Sequence, residues 1–124
     1  MPTPSPAVEA ELVSAARQRQ ATLIAALSGA ALPGAPDDAH CDLAVTAIDR
    51  YSTSLLDELL AATRPLAAPE TEWVKTRYLS LMLEFATAAC NVVQEPGLRH
   101  TVAQEIQCRV LWHEQHLRTT LKSG

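Results

Sequence analysis

Apolar residues recur every three or four positions along most of this chain, and proline breaks the pattern at four places. The breaks are TPSP at 3–6, SGAALPGAP at 28–36, RPLAAP at 64–69 and EPG at 95–97. The stretches between them are too long for strands and suit bundle helices of about 30 to 40 Å. Helices are therefore expected over about 6–28, 37–64, 69–94 and 96–122. Ser5 can cap the first, with Pro6 in its opening turn. Asp37 and Asp38 favour the start of the second, Pro69 and Glu70 the third, and Pro96 the fourth.

Each segment carries its own apolar stripe. In the second it is Cys41, Ala44, Ile48, Tyr51, Leu55 and Leu59; in the third, Val74, Tyr78, Leu81, Phe85, Ala88 and Val92. The fourth has Val102, Ile106, Val110, His113, Leu117 and Leu121. The first is weaker, because Leu12, Ala16, Leu23 and Leu27 are interrupted by the polar run Arg17 to Gln20. That helix is expected at the edge. Short connections make neighbours antiparallel, so the fold class read here is all-α, an up-down-up-down four-helix bundle. One domain over residues 6–124 follows a loose tail at 1–5, since 124 residues suffice for a single core.

Composition narrows the setting. The chain is 48% hydrophobic and 19% charged, and no run reaches the roughly 18 apolar residues of a membrane helix. A net charge of −4 argues against nonspecific binding to nucleic acid or anionic lipid. The opening residues lack the basic and apolar parts of a secretory signal, which leads to a cytoplasmic expectation with reduced cysteines. Charge is nevertheless segregated. Residues 37–64 hold six acids against Arg50 and Arg64, while residues 98–122 hold Arg99, Arg109, Arg118 and Lys122 against two acids. Attraction between these segments explains the pattern, as does a basic helix that grips an acidic partner protein.

Candidate chemistry concentrates in CRVLWHEQH, residues 108–116. His113 and His116 share a helix face, yet the spacing is not that of H-E-x-x-H, and no E-x-x-H pair of the di-iron kind occurs. His113 also lies on the buried stripe, where a neutral imidazole with one hydrogen-bond partner is the ordinary arrangement. A second possible zinc or other transition-metal cluster comes from topology. An alternating bundle brings His40, Cys41, Cys90 and His100 to the same end, each about 5 to 8 Å from its helix terminus. Packing thiols and wet histidines explain the same residues. No glycine-rich elbow presents a nucleophile and no loop cradles phosphate.

These readings favour a noncatalytic protein that acts by homodimerisation or by binding another protein, with no cofactor. Trp73, Trp112, Arg109 and Arg118 are the expected interface residues. The alternative is a metal- or small-ligand-binding bundle built on Cys41, Cys90 and His100, or on His113 and His116.

Overall fold

A computed structural model of the protein describes residues 5–30, 37–63, 68–93 and 95–123. It contains four helices: α1 (Pro6–Ala30), α2 (Asp37–Thr63), α3 (Ala68–Val92) and α4 (Pro96–Ser123). Residues 1–4 of the expected 1–5 tail, and residues 31–36 and 64–67 within the two longer proline-containing breaks, lie outside the described residues, as do the side chains of Asp37, Asp38 and Pro69.

Local chemistry sets two of the helix starts. The Ser5 hydroxyl accepts from the Val8 amide at 3.3 Å, so Ser5 caps α1 as its sequence position suggests. For α4 the cap is Glu95, whose carboxylate accepts from the Gly97 and Leu98 amides at 2.9 and 2.5 Å. Those two bonds hold the Glu95 carboxyl below its ordinary pKa.

The helices pack as an alternating four-helix bundle. α1 and α3 run parallel, as shown by two ion pairs that advance together along both helices: Glu9 with Arg77, then Arg17 with Glu84. α2 and α3 form the central pair, and Tyr51 stacks on Phe85 between them with ring centroids 4.6 Å apart. α4 packs on one side of this pair and α1 on the other, so α1 and α4 do not meet. The expected stripes supply the core, with Ile48, Tyr51, Leu55, Val74, Tyr78, Phe85, Val102, Ile106 and Leu117 all nearly inaccessible.

α1 differs in kind. Among its described apolar side chains only Ala16 and Leu27 are buried, while Leu12, Val13, Leu23 and Ile24 pack partly against the core. A buried leucine-sized side chain contributes about 2 kcal/mol, so α1 draws less from burial than α2, with seven buried apolar residues. The edge position follows from the weak stripe.

Candidate functional site: a polar relay across three helices

A connected set of polar side chains crosses the interior of α2, α3 and α4. Asp49 and Ser52 lie one turn apart on α2, facing Arg109 and His113 on α4, one turn apart in the same direction. Arg109 clamps Asp49 with both ends of its fork, Nε to Oδ1 at 2.7 Å and Nη2 to Oδ2 at 3.0 Å. His113 Nε2 also reaches Asp49 Oδ1, at 2.7 Å. Its other ring nitrogen, Nδ1, is 3.2 Å from Ser52 Oγ, which in turn lies 2.5 Å from the Tyr78 hydroxyl on α3.

The hydrogen positions follow from valence. An ionised carboxylate only accepts, so Nε2 of His113 carries the hydrogen given to Asp49. Nδ1 is then a bare acceptor for the Ser52 hydroxyl, and Ser52 Oγ accepts from Tyr78. Every donor points one way, from Tyr78 through Ser52 to His113 and from His113 to Asp49. The ring is neutral in this arrangement, and burial lowers the His113 pKa below its ordinary value despite the opposing pull of Asp49. Burial also works against ionisation of Asp49, but the bonds from Arg109 and His113 outweigh it and hold the carboxyl below its usual range. Tyr78 is pushed up by burial.

The order Asp49–His113–Ser52 resembles the connectivity of a hydrolase triad, but its setting is wrong for that chemistry. Ser52 is 4% exposed and its hydroxyl is shared with Tyr78. It sits mid-helix, where backbone amides are committed to the helix ladder and form no oxyanion hole. A substrate carbonyl would have to enter the bundle interior to reach this oxygen. The relay locks three helices in register.

The surface end of the relay continues along α4. The Arg109 guanidinium lies 4.1 Å from the Trp112 ring centroid, and His116 packs on Trp112 at 3.7 Å. His116 Nδ1 donates to the Trp112 carbonyl at 2.9 Å.

This placement decides much of the metal expectation. Among the described residues no group of three or more His, Cys, Asp or Glu side chains is arranged to hold a metal ion. The His113–His116 pair fails because both ring nitrogens of His113 are occupied, and His116 has one committed to Trp112. At the other end, Cys41 and Cys90 are half-buried while His100 is exposed. Burial raises the Cys90 thiol pKa, which opposes the thiolate that a metal ligand requires.

The expected interface residues are also redistributed. Trp73 is half-buried and packs against the core. Arg109 is spent on Asp49, and Arg118 on Glu114 at 2.9 Å. The Asp49–Arg109 pair joins the acidic segment to the basic helix within one chain, so segment attraction accounts for this part of the charge pattern. Trp112 remains 42% exposed.

Sequence reasoning placed His113 correctly on the buried stripe but missed Asp49, Ser52 and Tyr78 as its company. A signal was available: two tyrosines sit on apolar stripes, and each buried hydroxyl requires a partner. Comparison with protein-family models, curated proteins and solved structures found no match to this chain.

Proposed function

We propose that this protein works by association, pairing with a second copy of itself through the face formed by α3 and α4. The observation that carries this reading is a pair of large exposed leucines, Leu83 on α3 at 59% and Leu111 on α4 at 52%. Both line a groove of about 510 Å³, floored by Ala86, Ala103, Ile106 and Val110. Exposed apolar surface at a groove marks an interaction site. The same face carries protruding leucines and an apolar recess that could receive them, the self-complementary shape that a twofold contact requires. Its only charged lining residue is Glu114, already paired with Arg118. Two copies of a chain with net charge −4 therefore meet here without like-charge repulsion.

A cytosolic, reducing setting goes with this reading and is supported by Cys41, Cys90 and Cys108 forming no disulfide. Among the described residues no helix is long and apolar enough to cross a membrane.

Sedimentation equilibrium at micromolar protein tests the proposal. The wild type is expected to sediment as a dimer. Leu83→Glu with Leu111→Glu should weaken pairing at least about a hundredfold, because each buries an unpaired carboxylate. Trp112→Ala, outside the groove, should leave pairing unchanged. A wild type that stays monomeric throughout the concentration range overturns the reading.

A further inference from the structure

We infer that α1 is an exchangeable helix, able to leave its seat on α2 and α3 and to occupy the same seat on a second copy of the chain. Three observations converge on it. α1 touches α2 and α3 but not α4, and it buries only Ala16 and Leu27 completely. Its polar contacts to the bundle are ion pairs at the rims: Glu9 with Arg77, Arg17 with Glu84 and Arg19 with Glu58. Arg17 and Arg19 grip their carboxylates with both ends of the fork, but the side chains in these pairs are between 24% and 61% exposed, so solvent and salt screen them. Finally, polar atoms in this part of the bundle lack a hydrogen-bond partner among the described residues: Arg19 Nε and Gln20 Oε1 on α1, and the Tyr51 hydroxyl on α2. Tyr51 feels the charges of Arg17, Arg19 and Glu84, which places its hydroxyl on the α1 side of the core.

The seat also specifies its occupant. It presents Arg77, Glu84 and Glu58 to a parallel helix that carries acid, base and base at positions matching Glu9, Arg17 and Arg19. A second copy carries that code in full, so a reciprocal exchange remakes every contact of the monomer. Departure of α1 leaves the relay of Asp49, His113, Ser52 and Tyr78 intact, because α1 contributes nothing to it. The remaining three helices keep their polar lock.

This inference does not rest on the α3–α4 contact, and its test is run in the Leu83→Glu, Leu111→Glu background so that the two cannot be confused. One chain carries Glu9→Arg, Arg17→Glu and Arg19→Glu, reversing the helix. Its counterpart carries Arg77→Glu, Glu84→Arg and Glu58→Arg, reversing the seat. Within either chain alone, helix and seat repel; in a mixed pair that exchanges α1, both seats are matched. Native mass spectrometry of the equimolar mixture is expected to show a heterodimer, while each chain alone stays monomeric. Hydrogen exchange should show α1 amides deprotected about tenfold in each separate chain and protected again on mixing. Where the triple variants do not fold, the single pair Glu9→Arg with Arg77→Glu serves the same purpose. Two folded chains that remain monomers after mixing overturn the inference, and so does α1 protection that never falls in the separate chains.

Discussion

The seam between α2 and α4 and the seam around α1 use the same kinds of side chain to opposite effect. At the first, a carboxylate, a guanidinium, an imidazole and two hydroxyls form one chain in which each buried hydrogen has an acceptor. At the second, Gln20 Oε1, Arg19 Nε and the Tyr51 hydroxyl have no hydrogen-bond partner among the described residues, and the charges sit at the rim. A buried polar group fixes helix register when it is satisfied and weakens the seam when it is not. The bundle is thus divided into a locked set, α2 to α4, and one lightly held helix.

The harshest way to break this contrast is to remove the residue that joins the locked set. His113→Ala strands the Ser52 hydroxyl and takes one of the bonds from Asp49, besides opening a cavity. It should destabilise the protein by about 3 kcal/mol, read as a lower urea midpoint at unchanged slope. A loss smaller than that of Gln20→Ala on α1 would erase the distinction between the seams.

A gentler pair of substitutions sharpens it. Tyr51 and Tyr78 are both buried, at 0% and 1% exposure, and differ in whether the hydroxyl is used. Tyr78→Phe deletes the donor to Ser52 and should cost about 1 kcal/mol, whereas Tyr51→Phe deletes a hydroxyl with no partner and should stabilise by a similar amount. The same change in opposite directions, measured by urea unfolding, is the expected result. Alkaline titration offers a second view of Tyr51. Burial pushes its pKa up to about 12 from 10, so folding loses stability as pH rises above the lower value.

Much of this architecture was legible in the sequence, and the reasons for what was not are physical. Helix bounds came within about two residues, since proline and capping residues act locally. The stripes identified Ile48, Tyr51, Phe85 and Ile106 as core because periodicity depends on helix geometry alone. The relay depends instead on which helices touch and at what height. α2 and α4 are not neighbours in sequence, so no local pattern pairs Asp49 with Arg109 or Ser52 with His113. Equal heights likewise say nothing about how each helix is rotated about its axis: Cys41 and Cys90 are half-buried while His100 is exposed.

The smallest effect tests the relay without a mutation. The groups facing His113 are Asp49 and Ser52 from α2 and Arg109 and His116 from α4, with Tyr78 of α3 behind Ser52. Burial opposes a charge on the ring, Asp49 favours it, and the net pKa lies below 6.5. Between that lowered value and 6.5 the unfolded chain binds the proton more readily than the folded one, so stability falls as pH drops through this window. A geometric consequence accompanies it. A protonated ring donates from Nδ1 as well, so Ser52 Oγ must accept there, and either the Ser52 or the Tyr78 hydrogen loses its acceptor within the relay. Asp49 adds nothing in this range, because its lowered pKa keeps it ionised until far more acidic conditions. Urea midpoints should therefore decline as pH drops below 6.5, with a shallower decline in His113→Gln, whose amide does not titrate. An unchanged slope in that variant would mean that the relay does not sense the proton, and that its directionality has no bearing on how tightly α2, α3 and α4 are held.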